Sequence, residues 1–343
     1  MKYSINKIDK VSFINIVNDS GLEVILCSLG ASFRDIKVVD KNNHLESVTL
    51  FQNDLNDFYS NTDYHGKTVG RYSGRIDNAK CIINDKEYVL DKNWNGINSL
   101  HGGAKGISYE NFDYEIIELD DRLEVAFKYT EKENQLPGDV SYFITYQIYN
   151  DKNEINLKLE ATTTKDTLVN LTNHVYFNLS GELKRTILPQ KLQLLCDKYT
   201  KLNNDLITIN IEDVNEVMDF RKPHKIGDFI YDDSLQNHTA KGYDHCWLKT
   251  DKNESKVAVL VDEESGRRLT VSTSYPAIVC YAGCYPTTEL CNDRKIPIKQ
   301  YHSICLECQY VPNGINMDDV DKAILKKDEK YQHYINYKFD ITN

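Results

Sequence analysis

Apolar residues recur at every second position through much of this chain. Val140, Tyr142, Ile144, Tyr146 and Ile148 form one such run, and Ile155, Leu157, Leu159 and Ala161 form another after the turn-forming residues Asn150, Asp151, Lys152 and Asn153. Side chains two apart share a face in a strand, whereas a helix brings together residues three or four apart. The pattern therefore predicts a long β-hairpin with one buried face. Leu123, Val125, Phe127 and Tyr129 repeat the alternation, as do Leu269, Val271 and Thr273. Shorter strands are expected at 22–29, 32–39, 79–83 and 188–196. Helical spacing is confined to 53–59 and 318–327, and 203–236 reads as a long loop dressing one side of the sheets. No glycine-rich phosphate loop lies between a strand and a helix, which removes support for nucleotide-binding α/β folds. The expected fold is all-β, a two-sheet β-sandwich formed by residues 1–343 as a single domain.

Composition narrows the function classes. The 23 tyrosines against 3 methionines suit pleated, half-buried surfaces. With 52 acidic and 41 basic residues the net charge is −11, and no basic stripe offsets it, so a nucleic-acid partner is not expected. No stretch approaches the ~20 apolar residues of a membrane span. The opening Met1-Lys2-Tyr3-Ser4-Ile5-Asn6-Lys7 lacks signal-peptide character, so a cytoplasmic location is expected. Nine cysteines, an odd number at irregular spacings, point to reduced thiols. Cys280, Cys284, Cys305 and Cys308 loosely resemble a zinc set, but residues 305 and 308 of a strand face opposite ways, so buried free thiols are the expected state.

Two segments stand out chemically. In 168–179, strand geometry would put Thr172, His174, Tyr176 and Asn178 on one face: uncharged hydrogen-bonding groups and an imidazole where a solvated face would carry Lys and Glu. In 303–310, Ser303, Cys305, Glu307 and Gln309 share a face, and Glu307 is the only charge in the run. A carboxylate so placed is partly desolvated, which raises its pKa and strengthens it as a base. Taken singly, each residue fits a structural histidine or an outward-facing strand glutamate as well. Three loops add to them. Asn98-Ser99-Leu100-His101-Gly102-Gly103 has glycines that allow close backbone approach to a ligand. Gly70-Arg71-Tyr72-Ser73-Gly74-Arg75-Ile76 carries two arginines, and Lys241-Gly242-Tyr243-Asp244-His245-Cys246-Trp247 presents Asp, His and an indole. Such groups suit a sugar, whose hydroxyls donate and accept and whose C–H face packs on rings. No short His/Asp/Glu ligand spacing joins them, so no metal is expected.

In this order the segments resemble the aldose 1-epimerases (galactose mutarotases). The resemblance runs from Leu29-Gly30-Ala31-Ser32 through Thr68-Val69-Gly70-Arg71, Leu100-His101-Gly102-Gly103, Asn173-His174-Val175-Tyr176 and Gly242-Tyr243-Asp244-His245 to Leu306-Glu307-Cys308-Gln309. It implies a β-sandwich of the galactose-mutarotase type with an open sugar cleft, Glu307 as general base and His174 as general acid. Arg75, His101 and Asp244 match positions that hold sugar hydroxyls, and Tyr176 is expected to bind substrate as a cleft wall or hydrogen-bonding partner. It further implies free galactose or glucose as substrate, no cofactor, and a monomer or homodimer. Three departures bear on specificity and reactivity. Gly74 replaces a common Asn, Tyr275 stands where a sugar-contacting Gln or Glu is frequent, and Cys308 beside the base replaces a common Pro. A hexose-6-phosphate epimerase or a non-catalytic sugar-binding protein of the same fold are the alternatives. The first would need a cationic pocket, for which Arg71, Lys67 and Lys105 are the nearby candidates.

Overall fold

The computed structural model describes residues 1–60, 62–251, 253–286 and 290–342. The predicted hairpin is present as Val140–Tyr149 and Glu154–Thr163, antiparallel and in register from Val140↔Thr163 to Ile148↔Ile155. Its alternating apolar residues are fully buried, and it sits inside a nine-stranded antiparallel sheet beside Arg122–Glu131 and Tyr331–Ile341. A second, six-stranded sheet runs Tyr176–Phe177, Ile304–Gln309, Ala277–Tyr281, Asp244–Lys249, Cys196–Leu202 and Thr208–Asp213. Residues of both sheets share one apolar core, with Tyr146, Leu157 and Tyr337 from the first and Trp247, Ile278 and Leu306 from the second. A five-stranded sheet beginning at Lys2–Ile8 packs Ile14, Val24 and Phe33 into the same core. This is the all-β, large-sheet architecture that the alternation predicts.

Four local expectations change. Residues 168–179 form three two-residue strands, Thr167–Leu168, Thr172–Asn173 and Tyr176–Phe177, each paired to a different partner. The chain thus crosses between sheets at His174. Residues 318–327 are not helical. Asp319 and Ala323 have positive φ (60° and 54°), and Ile324–Leu325 pairs with Thr167–Leu168, because Ala323 and Leu325 are buried and the lysines only decorate the outside. The 188–196 run ends earlier, as Lys191–Leu194, and Cys196 begins the next strand in the other sheet. The 203–236 region contains Thr208–Asp213, a strand of the six-stranded sheet, and the short helix Asp233–Gln236. The other expected helix is found as Leu55–Ser60, where the Asp54 carboxylate accepts the Asn56 N–H at 2.7 Å and Phe58 is buried.

Candidate active site

The six-stranded sheet floors a cleft of about 510 Å³, within the range of small-molecule sites. Ile304–Gln309 is buried on both faces, so its alternation sorts side chains between the core and the cleft. Leu306 joins the core, while Glu307 and Gln309 line the cleft. Tyr176 enters from the neighbouring strand, where it pairs with Cys305, and His174 from the connection just before it. Asp244 enters from the strand Asp244–Lys249, Arg75 from the two-residue strand Arg75–Ile76, and His101 from the turn after its partner Ser99–Leu100. The cleft therefore collects all six residues selected from the sequence.

Nε2 of His174 lies 3.5 Å from Oε1 of Glu307, and both side chains are almost wholly buried. Burial, reinforced by the Asp244 carboxylate, pushes the Glu307 carboxyl well above the usual range against the opposing pull of Arg75. Burial also pulls the His174 imidazolium down to about 4, although Asp63 and Asp244 oppose it. Both shifts favour the uncharged pair, with the proton on Glu307. The charged arrangement differs from it by one proton moved over this short gap. Oε2 of Glu307 is buried without a hydrogen-bond partner, a costly arrangement unless a ligand supplies a donor.

The His174 ring is stacked between tyrosines, with Tyr176 at 4.9 Å and 20° and Tyr64 at 6.1 Å and 23° between centroids and planes. The Tyr176 hydroxyl donates to the Asp63 carbonyl at 2.7 Å, and its ring stacks on the imidazole. His101 meets His174 edge-on at 5.2 Å. The backbone N–H of Gly74 donates to Nδ1 of His101 at 3.2 Å, which leaves Nε2 of a neutral ring carrying the proton. Burial, with His174 and Arg75 adding to it, holds the His101 imidazolium well below its ordinary range, so this ring is a neutral donor.

Arg75 is anchored on three sides. Its Nη2 contacts Asp244 Oδ2 and the Tyr285 hydroxyl, each at 3.2 Å, and its guanidinium lies 4.4 Å over the Trp94 ring. The Tyr285 hydroxyl also donates to Asp244. Tyr285 and Trp94 were not selected from the sequence, because isolated aromatic residues in loops carry no periodic signal. Gln309 faces the cleft with Oε1 unpartnered, as the strand alternation implied.

Several sequence expectations are corrected here. Tyr275 does not reach the cleft. It is fully buried, stacked on His333 at 4.0 Å, with its hydroxyl 2.5 Å from that of Tyr331. From the strand that follows, Ala277–Tyr281, Val279 and Tyr281 line the cleft, with Val279 directly opposite Glu307. Gly74 has φ +80° and a Cβ there would fall 2.7 Å from Pro312, so backbone geometry accounts for the glycine. The close approach at Gly102 is to the chain itself, since a Cβ would lie 2.0 Å from the Gly70 carbonyl oxygen. Cys308 is fully buried, with burial pushing its thiol up to about 12.

The candidate cations are not in the cleft. Arg71 is buried against Glu131 at 3.0 Å, Lys67 lies under the rings of Phe58 and Tyr109, and Lys105 lines a separate cavity. Among the described residues, one His/Cys/Asp/Glu group converges as metal ligands would: His101, His174 and Glu307, with ligand atoms within 4.8 Å of one another. The spacing in sequence did not reveal it. To ligate through Nε2, His101 would have to move its proton to Nδ1 and lose the Gly74 bond, so the donor set fits a hydroxylated ligand better.

An all-β protein with a buried carboxyl–imidazole pair lining a small-molecule cleft is equipped for proton transfer on a bound ligand. The crystal structure of a galactose 1-epimerase from Lactobacillus acidophilus superposes with a TM-score of 0.86 at 25% identity, covering all of both chains. A galactose mutarotase from Sus scrofa is 30% identical over 324 residues, 94% of this chain and 92% of the relative. An aldose 1-epimerase from Streptococcus thermophilus is 29% identical, over 98% of this chain and 97% of its own. The aldose 1-epimerase family model matches residues 12–338, and the chain belongs to that family. It is accordingly an isomerase acting on a small sugar. Among the described residues, no helix is long and apolar enough to cross a membrane.

Proposed function

We propose that the cleft interconverts the α and β anomers of free aldohexoses such as galactose and glucose, with Glu307 and His174 as the acid–base pair. The observation that carries this reading is the 3.5 Å approach of His174 Nε2 to Glu307 Oε1 in a buried position open to the cleft. Glu307 as carboxylate removes the proton from the C1 hydroxyl while the imidazolium of His174 delivers its Nε2 proton to the ring oxygen. The C1–O5 bond breaks and C1 becomes an aldehyde. The pair is then neutral, the state burial favours. After rotation about C1–C2, the C5 hydroxyl adds to the other face of C1 and the two residues exchange roles. Net proton transfer from O1 to O5 thus needs one base and one acid and consumes nothing.

Arg75, His101 and Asp244 hold sugar hydroxyls in this reading: His101 through its Nε2 proton, Asp244 as acceptor and Arg75 as donor. Tyr176 braces the His174 ring. We also take residues 1–343 to act as one catalytic domain. Arg75 is the only Lys or Arg among the described residues lining the cleft, and it is already paired, which favours a neutral sugar over a phosphosugar. The test is polarimetric relaxation of freshly dissolved α-galactose and α-glucose, alongside glucose-6-phosphate. Acceleration of the free sugars is expected; no acceleration of either, or a larger one with the phosphate ester, would overturn the reading.

A further inference from the structure

His174 has two ring nitrogens, and the reaction above uses only one. Nε2 faces Glu307 and the cleft; Nδ1 faces inward, 3.4 Å from Sγ of Cys305. Cys305 is fully buried and sits in the strand directly opposite Tyr176, whose ring stacks on the imidazole. We propose that Cys305 is a positioning residue: its sulfur accepts a hydrogen bond from Nδ1–H of His174 and so reserves Nε2 as the nitrogen that exchanges protons. This rests on the acid–base reading of the cleft.

Proton bookkeeping requires that arrangement. The imidazolium carries both protons. After Nε2 gives its proton to the ring oxygen, the neutral ring must keep Nδ1–H and leave Nε2 with a lone pair, or it could not take a proton back at reclosure. The contact at Nδ1 agrees: among the described residues, the Cys305 sulfur is the hydrogen-bond partner found there, at 3.4 Å. Burial pushes the Cys305 thiol well up, with Glu307 adding to it, so the sulfur is a neutral, weak acceptor. A carboxylate in its place would stabilise the imidazolium and blunt it as an acid, whereas a thiol orients the ring without doing so.

His101, 5.2 Å away, is the internal contrast. There a backbone N–H, from Gly74, approaches Nδ1 and fixes the opposite tautomer. Two histidines in one cleft are thus set apart by what lies behind them: His101 as a fixed Nε2–H donor, His174 as the exchanging base and acid.

The test combines long-range ¹H–¹⁵N spectra of histidine-labelled protein with polarimetry, on the wild type, Cys305→Ala and Cys305→Ser. Wild-type His174 should show the Nδ1–H tautomer near neutral pH and His101 the Nε2–H tautomer. Cys305→Ala should bring Nε2–H character into His174 and lower kcat about tenfold with little change in KM. Cys305→Ser, which restores an acceptor, should recover the tautomer and most of kcat. A wild-type His174 protonated at Nε2 alone would overturn the proposal, as would an Ala variant that keeps both tautomer and rate. Loss of kcat in Ala without tautomer change or rescue by Ser would mark a packing defect and overturn it too. If the wild type failed to accelerate mutarotation, the acid–base reading would fall, while the spectra would still score the hydrogen bond.

Discussion

At Glu307 and His174 the decisive quantity is the cost of charge. A buried carboxylate and a buried imidazolium are each unfavourable, and both groups shift towards their neutral forms. Holding them 3.5 Å apart makes the charged and neutral pairs interchangeable by one proton transfer, which suits a reaction run in both directions. Cysteine behaves differently in the same strand. All nine thiols are buried, and burial pushes Cys308 up to about 12. Thiolate is the reactive form, so the native protein should keep its activity and take up no label in minutes with millimolar N-ethylmaleimide at neutral pH. Rapid inactivation with label at Cys308, read by mass spectrometry, would contradict the burial argument.

At the scale of elements, the site depends on joining short pieces. His174 lies where the chain passes from the strand Thr172–Asn173 to Tyr176–Phe177, and its backbone N–H donates to the Lys67 carbonyl at 2.9 Å. The His101 loop is held by equally close backbone contacts. Gly102 has φ +82° and no room for a Cβ beside the Gly70 carbonyl. Gly102→Ala should therefore cost more than about 1 kcal/mol of stability and raise KM through displacement of His101, with a lower thermal midpoint and weaker sugar binding as readouts. An unchanged midpoint would show that the loop relaxes freely. These elements explain what the sequence could reveal. The hairpin at 140–161 was legible because every second residue carried the pattern. The faces of Glu307 and Gln309 were legible for the same reason. His174 and Tyr176 reach the cleft, but the expected face of a long strand does not exist: Thr172 and Asn178 turn instead to the Cys308 and His302 carbonyls. The segment is buried throughout, so alternation could not mark where the chain changed partners. Tyr285 and Trp94 were illegible, since their contacts with Arg75 cross large sequence separations.

Over the whole molecule, burial of neutral imidazoles ties stability to pH. His174, His245 and His333 are each pulled by burial to about 4. His65 and His101 are held well below their ordinary range for the same reason. Unfolding releases these rings to an ordinary value near ~6.5, so the unfolded chain binds more protons between about pH 6.5 and 4. Stability must fall as pH is lowered through that window. Glu307 and Asp35, the latter raised to about 6 by burial, act with the opposite sign over part of it, but six histidines, with His302 also lowered by burial, outnumber two carboxyls. The thermal midpoint should decline steadily from pH 6.5 towards 4.5. A midpoint that held or rose there would mean the histidines titrate normally in the fold.

In the proposed mechanism Glu307 and His174 each exchange one proton with the sugar, at O1 and at O5. Polarimetric turnover of α-galactose by Glu307→Gln and His174→Asn, with circular dichroism and thermal midpoints to establish folding, tests it most directly. Each variant should fold as the parent does and lose about 10²–10⁴ in kcat. A folded variant of either kind that retained parental turnover would contradict the account.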